Sequence, residues 1–539
     1  MSYLDSIIST IENLLGYPEQ LPIFIVLLLG TGLFITLRFY FIQFFRLKHS
    51  FQVVMGKYDD PDDEGDVSHF QALTVALSAT VGVGNIAGVA LAIHYGGPGA
   101  IFWMWLTAFF GMALKFVECT LALKYRVIDD QGEASGGPMY YIEKGLGNKS
   151  FGIFFAVCAV LCSFCTGNMN QSNTVASVLS ARFSLSSTGK YVIGIILCLI
   201  VGSVILGGVK RIAKVTEKLA PIMASVYFLA AFVIIVLNME QLPSLITSIF
   251  TQAFRPESAF GGTVAGTLTM TMLIGIKRGL FSNEAGQGSA PIAHASAKTN
   301  EPVREGIVAM MGPFIDTLVI CSLTAFVLLI TNTWNQKYEV NLSLDEIQIV
   351  QSIDKFANTI AYTGQFEVNN GHAVGVKFVS NHALIDEVLI YKDSKEFSGS
   401  IIIDKNAKIN LKGLTIKGNS LLSGAPLTSK AFQIGLSSIF AHGDLIVDLC
   451  VILFAISTII SWCYYGDRSF VYLFGTKQLI LYRLVYLFFV FLGAILPLYV
   501  VWRIGDVALS LMALPNLIAI LFLHKEVLND SKEYFKKYS

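Results

Sequence analysis

The sequence predicts an all-α polytopic membrane protein of about eleven membrane helices, with a small soluble α+β insert between the eighth and the ninth. Three observations carry that prediction. Only 14% of the 539 residues are charged and 54% are apolar, whereas soluble chains carry about 25% charged residues. Runs of roughly 20 apolar residues recur, the length that crosses about 30 Å of hydrocarbon. The short alternating segments of a closed barrel are missing, so the backbone must satisfy its polar groups within helices. The 38 basic and 38 acidic side chains cancel, so no bulk field recruits nucleic acid and charge-driven disorder is not expected. The lipid bilayer is the partner this composition requires.

In chain order, nearly uncharged runs cover 21–45 (interrupted by Arg38), 70–114, 151–181, 191–209, 219–239, 258–276, 306–331 (interrupted by Asp316), 445–466, 484–502 and 507–523. The 45 residues of 70–114 make two spans with a turn at Gly96, Gly97 and Pro98, which brings the count to eleven. Residues 1–20 hold no Lys or Arg, so the first span lacks a signal peptide's basic flank. Basic residues then set the orientation. One set of loops collects Arg46, Lys48, Lys57, Lys115, Lys124, Arg126, Lys144, Lys149, Lys210, Arg211, Lys214, Lys218, Lys277, Arg278, Lys298, Arg304, Arg468, Lys477, Arg483 and the basic tail. The opposite short loops hold only Arg182, Lys190, Arg255 and Arg503, which places the N-terminus outside and the C-terminus in the cytoplasm.

The runs divide the chain into an extra N-terminal helix and loop (1–68), a first five-helix half (69–240), a second half (241–333 and 435–524), an extracytoplasmic insert (334–434) and a cytoplasmic tail (525–539). The insert opens with an expected amphipathic helix, where Leu344, Ile347, Val350 and Ile353 recur at spacing three. Strands follow at 383–391, 400–404 and 409–416, punctuated by Asn and Gly. It shows no catalytic constellation, and His372 and His382 read as surface residues. Cys158, Cys162 and Cys165 share a helix face and read as small core residues rather than soft-metal ligands.

Polar interruptions point to function. Span two carries Ser78, Ala79, Thr80, Val81, Gly82, Val83, Gly84, Asn85, Ile86, Ala87 and Gly88 at its middle. Close packing through small residues explains the glycines but not Asn85. A broken helix, with carbonyls and amides turned to a cavity, explains both. A second polar stretch runs over 279–289, including Ser282, Asn283 and Glu284. It is either a second broken helix or a loop behind Lys277 and Arg278, in which case the break falls among Gly261, Gly262 and Gly266. Breaks in corresponding positions of two five-helix halves, the second inverted, point to a secondary transporter with a site at the bilayer midplane. Gln171, Ser172, Asn173, Ser457, Thr458 and Trp462 are further polar groups within spans. Acids there are expensive. Glu118 and Asp448, near span ends, read as partners that hold helices together. Asp316, at mid-span, reads equally as functional or structural.

The string Gly96-Gly97-Pro98-Gly99-Ala100-Ile101-Phe102-Trp103-Met104-Trp105, closing at Gly111, resembles the characteristic motif of the alanine or glycine:cation symporter family. The resemblance continues in Gly84-Asn85-Ile86-Ala87-Gly88-Val89, Gly136-Gly137-Pro138-Met139-Tyr140-Tyr141, 277–286, Gly312-Pro313-Phe314-Ile315-Asp316-Thr317, Tyr464-Tyr465-Gly466 and Met512-Ala513-Leu514-Pro515-Asn516. It covers the whole membrane portion; Thr80 and Val83 stand where the family commonly has Arg and Thr. It implies a leucine-transporter-like inverted repeat of five plus five helices, in a prokaryotic inner membrane, that imports a small neutral amino acid (alanine or glycine) with sodium and no organic cofactor. It also implies residue roles. Carbonyls of Ser78 and Val81 with hydroxyls of Ser457 and Thr458 would hold sodium; Asn85 and Asp316 would hold a second ion. Gly82, Val83, Gly84, Asn85, Gln171, Asn173 and Ser282 would meet the substrate, with Trp462 limiting its size. The rival reading is a membrane sensor whose insert binds a ligand. No nucleophile–base pair or metal spacing suggests an enzyme.

Overall fold

The computed structural model describes residues 23–538 apart from 61, 131, 184, 186, 256–267, 344–346, 354–358, 381–382, 394, 404–412 and 497. Among the described residues the chain is mostly helical, and eight helices are long and apolar enough to cross a membrane. They are Ala100–Lys124, Lys149–Ser180, Thr188–Ile205, Gly208–Leu237, Pro302–Ile330, Gly443–Phe474, Thr476–Ile495 and Val507–Lys537. The pair His69–Thr80 and Gly84–Gly96, bent by 53°, makes a ninth if taken as one span. The other two expected spans correspond to Ile23–Arg38 and Leu268–Asn283, each of which adjoins residues outside the described set. We number these helices by the eleven spans of the sequence reading, so that His69–Gly96 is span two.

Burial separates centre from periphery. The most apolar windows of spans five, six and ten are 33%, 39% and 39% buried, against 67% for spans three, eight and nine. Exposed Leu199, Leu229, Phe232, Leu484 and Phe488 form an apolar band on the peripheral helices, as a bilayer-facing surface requires. Small residues bring the central helices close. A Cβ on Gly275 would lie 2.4 Å from the Ala100 carbonyl oxygen, and one on Gly306 would lie 2.0 Å from Thr120 Oγ1. Gly306→Ala is therefore expected to cost about 1–3 kcal/mol by overpacking spans three and eight. A clear fall in the melting temperature of the detergent-solubilised protein checks this; an unchanged value would mean the two helices do not approach so closely.

Several boundaries differ from the sequence reading. Span ten ends at Ile495, and Leu498–Lys537 is one helix, so the expected gap after residue 502 is absent and the tail is helical. Lys124 bonding to Asp530 (2.8 Å) and Tyr125 to Glu526 (2.8 Å) anchor that tail. An unanticipated amphipathic helix, Leu242–Phe254, packs on span three. In the insert, the expected helix over 344–353 is instead a strand, Gln348–Ile353, paired with Thr359–Ala361 and Lys377–Ser380. Ile349 and Val350 are both buried by these partners, and so short an apolar run does not distinguish helix from strand by spacing alone. Leu344 lies outside the described residues, as does His382.

Among the described residues, the insert's strands form three sheets of four, three and four strands around a core of its own, with Phe366, Val368, Ile390, Ile401 and Ile416 at the centre. Leu414–Leu421 is central in one sheet, pairing Ile416 with both Leu342 and Ile390. Gly424–Gly435 then returns to the membrane portion as a helix. Its Leu427, Ala431 and Phe432 join the membrane core rather than the insert's.

Candidate functional site

Span two starts with a capping box in which Gln71 N donates to Ser68 Oγ (3.2 Å) and Ser68 N to Gln71 Oε1 (3.0 Å). The helix runs to Thr80 and stops at Val81, whose ψ of 88° is not helical. It restarts as a π-helical turn, Gly84–Gly88, a form found mostly at functional sites. Asn85 closes the gap by accepting from Gly82 N through Oδ1 (2.8 Å). Gly82 is required there by space, since a Cβ would lie 2.8 Å from Thr458 Oγ1 and 3.7 Å from Gln171 Oε1. Thr458 Oγ1 donates to the Ser78 carbonyl (3.0 Å). Gly82, Ser78, Gln171 and Thr458 therefore meet at one point, with Ser457 adjacent on span nine.

Several oxygens there have no partner. Ser78 Oγ, Gln171 Oε1, Ser457 Oγ and Ser461 Oγ are buried and make no hydrogen bond among the described residues. Each such atom costs about 1–3 kcal/mol, so a cluster calls for an explanation. Hard oxygen donors of this kind fit an alkali cation or the polar ends of a small zwitterion.

A second break follows Leu268–Asn283. Lys277 and Arg278 lie within that helix, so they do not mark a loop. The chain turns at Glu284, Gly286 and Gly288, all with positive φ (53°, 74° and 84°), and resumes at Ala290–His294. Every residue from 282 to 297 is buried. This places the interruption at 284–289; Gly261, Gly262 and Gly266 lie outside the described residues. Distant side chains satisfy its backbone. Gly286 N donates to Glu118 Oε1 (3.3 Å), and Asn516 Nδ2 donates to Glu118 Oε2 (2.7 Å) and to the Gly286 carbonyl (2.9 Å). Glu284 accepts from Trp462 Nε1 (3.1 Å) and Ser289 Oγ (2.6 Å).

Asp316 lies between the two breaks. Its Oδ1 accepts from Asn85 Nδ2 (2.6 Å), and its Oδ2 accepts from Ser282 Oγ (2.7 Å) and Thr317 Oγ1 (2.6 Å). It sits in another π-helical stretch, Phe314–Cys321. Lys115, 2% exposed and without a hydrogen bond or ion pair among the described residues, is the cation whose field reaches Glu118, Glu284 and Asp316.

The sequence candidates thus fall into linked groups. Ser78, Val81, Gly82, Gln171 and Thr458 line the first break, Ser457 is buried beside Thr458 on span nine, and Asn85, Ser282 and Asp316 form the core between the breaks. Val83 is buried, and Gly84 backs onto Phe281 and Ser282. Trp462 fills the space left by Gly167, where a Cβ would lie 2.2 Å from the indole. Asn173 donates through Nδ2 to the carbonyls of Gly493 (2.8 Å) and Leu496 (2.7 Å), while its Oδ1, like Gln171 Oε1, is buried without a partner among the described residues. Sequence reasoning gave no site role to Glu284, Lys115, Asn516 or Ser461, and it counted Lys115 among the loop residues, whereas the lysine lies buried within Ala100–Lys124. An acid inside a polar interruption and a lysine in an apolar helix were the available signals for the first two. Asp448, read as a helix-holding group, accepts from Ser429 Oγ (2.8 Å).

Long apolar helices interrupted around buried, unpaired oxygens define a multi-pass membrane protein with a polar interior site. The profile of the sodium:alanine symporter family matches residues 1–366 and 397–539. The chain belongs to that family and is a transporter. An uncharacterized transporter of Haemophilus influenzae is 39% identical, the alignment covering 99% of this chain and 97% of the relative. The sodium/alanine symporter AgcS of Methanococcus maripaludis is 38% identical over 98% and 97%. A probable sodium/glutamine symporter, GlnT of Bacillus subtilis, is 33% identical over 98% and 91%.

Proposed function

We propose that the protein imports a small neutral amino acid, alanine or glycine, with sodium by alternating access. In this reading 69–240 and 241–333 with 435–524 are the inverted halves of a leucine-transporter-like fold, with one extra helix before them. The protein sits in a prokaryotic inner membrane, N-terminus outside and C-terminus in the cytoplasm. The observation that carries the reading is the set of unpaired buried oxygens at the first break. Sodium is held by the carbonyls of Ser78 and Val81 and the hydroxyls of Ser457 and Thr458. The substrate carboxylate meets the amides of Gly82, Val83 and Gly84, at the positive end of the half-helix beginning at Gly84. Gln171 and Ser282 add polar contacts, and Trp462, braced by Glu284, limits the side chain that fits. Asn85 and Asp316 serve a second ion. Asn173 holds span ten through its Nδ2 and addresses the substrate through its unpaired Oδ1.

Uptake of radiolabelled alanine, glycine and glutamine into proteoliposomes, with and without a sodium gradient, tests this. Equal uptake in both conditions would sink sodium coupling; a glutamine preference would replace the substrate assignment. Thr458→Ala removes one oxygen and about 1 kcal/mol of interaction. The sodium concentration for half-maximal uptake should rise about fivefold, and an unchanged curve removes Thr458 from the site.

One observation favours the sensor reading: the last helix of the insert, Gly424–Gly435, touches the first break, Thr428 Oγ1 donating to the Ile86 carbonyl (3.2 Å). Lys337 pairs with Leu421 in register, so 338–420 can be replaced by a short Gly/Ser link while Gly424–Gly435 stays in place. Retained uptake supports the symporter; a ligand response that vanishes without any measurable flux in the intact protein supports the sensor.

A further inference from the structure

A groove of about 460 Å³ lies behind the first break, between the first half of span two, span six and span eight. Val81 and Ile320, both buried, and Ala224 and Ile315, both half-buried, are among its lining. Its exposed lining residues include Phe51, Phe70, Phe228 and Leu229, 43%, 39%, 38% and 60% exposed, so it opens on the apolar outer surface. Thr74 and Ser225 are the hydroxyl-bearing side chains in its lining, and no charged side chain lines it. The Thr74 hydroxyl already donates to the Gln71 carbonyl (2.9 Å). A groove of this chemistry offers water almost nothing to bond, while a hydrocarbon chain fills it with dispersion contacts.

Charge stands at one end. Lys214 and Lys218 precede the groove residues Pro221, Ser225 and Phe228 on span six at helical spacings that share a face. Both lysines are exposed and make no hydrogen bond or ion pair among the described residues. Glu217, between them in sequence, is instead engaged by Gln71 Nε2 (3.1 Å). Lys210 and Arg211 extend the positive patch by a further turn. Lysine stems lie along apolar surface while their ammonium groups stay at the interface, at the level where phospholipid phosphates lie.

We infer that this groove binds an anionic phospholipid, one acyl chain occupying the cavity behind Val81 and the phosphate held by Lys214 and Lys218. Charge complementarity selects an anionic lipid over a zwitterionic one, and the open apolar mouth selects a lipid over a soluble ligand. The inference rests on the membrane location of the chain and not on the sodium site. Its consequence is mechanical: a chain seated against Val81 braces the residue at which span two changes direction.

The test uses the full chain in nanodiscs of phosphatidylcholine doped with phosphatidylglycerol bearing a photoreactive group on its acyl tail. Crosslinks should map to peptides covering 70–81, 220–229 and 315–320. K214Q/K218Q should weaken phosphatidylglycerol labelling about 30-fold, as expected for two interfacial lysines, and leave a phosphatidylcholine probe unchanged. A224W, which fills the groove, should remove labelling at 70–81. Should A224W fail to fold, the lysine pair, being exposed, still decides. Equal labelling by both lipids, or crosslinks spread evenly over all peripheral spans, overturns the proposal. Loss with A224W but not with K214Q/K218Q means an uncharged occupant and also overturns it.

Discussion

Asp316→Asn is expected to leave the protein folded and to reduce sodium-driven uptake by at least about 100-fold. The substitution preserves shape. Its carbonyl oxygen still accepts from Asn85 Nδ2, and the Ser282 and Thr317 hydroxyls can rotate to accept from the new amide, so every partner in the present geometry keeps one. Only the charge is lost. A carboxylate about 4 Å from a cation contributes about 4 kcal/mol at an effective dielectric of 20, roughly a thousandfold in affinity. Relaxation and Lys115 reduce that figure, hence the lower bound. The measurements are the melting temperature, which should barely move, and the sodium dependence of alanine uptake. Wild-type sodium affinity in a folded Asp316→Asn protein would assign Asp316 a structural role alone. Asp316→Leu serves as the contrasting variant: it strands three buried donors at about 1–3 kcal/mol each and should lower stability as well.

The second large effect is expected at Glu305. Its carboxylate accepts from both His69, the first residue of span two's opening half-helix, and His294, the last residue of the helix after the second break. It therefore ties together the ends of the two broken elements that lie away from the breaks. Beside it the chain segments 64–67 and 296–299 pair as a short ladder, with Asp66 N to the Ser296 carbonyl (2.9 Å) and Lys298 N to the Val67 carbonyl (2.8 Å). Arg126 clamps that ladder, donating to the carbonyls of Glu64, Ala295, Ala297 and Thr299. Glu305→Ala removes the shared acceptor from two buried imidazoles, a loss of about 3–5 kcal/mol if the pair is charged and about 2 kcal/mol if it is neutral. Local opening is then easier, and the amides of 66–67 and 298–299 should exchange with solvent at least about 30-fold faster than in the wild type. Glu305→Gln keeps one acceptor and should fall between. Unchanged exchange in Glu305→Ala would show that the ladder and Arg126 alone close this end.

Parts of this arrangement were legible in the sequence because the bilayer imposes constraints that each segment meets by itself. A run of apolar residues must be helical to satisfy its own backbone, so the spans could be counted without knowing their neighbours. The first break was legible for a similar reason: Gly82, Gly84 and Asn85 are poor helix formers at the depth where a helix is otherwise compulsory. The second break was not, because Glu284 to Ser289 has the composition of an ordinary loop and follows two basic residues. What makes it a buried break is Glu118 and Asn516, which reach Gly286 across 168 and 230 residues of chain. The strand at 348–353 was missed on the same principle, since its hydrogen-bond partners are supplied from elsewhere in the insert.

The candidate site divides in the same way. Ser78, Gln171, Thr458 and Asp316 were recognisable one at a time, as polar groups in apolar helices. The sequence could not say that the Asn173 amide nitrogen is engaged by span ten, or that Trp462 is held by Glu284. By itself, the sequence determined the membrane class and the family and located most of the long apolar helices, because hydrophobic length and short motifs are local properties. Only the tertiary structure decided which polar groups share a partner and which are left without one. Hydrogen bonding is short-ranged in space and indifferent to separation along the chain, so that choice is made when the helices pack.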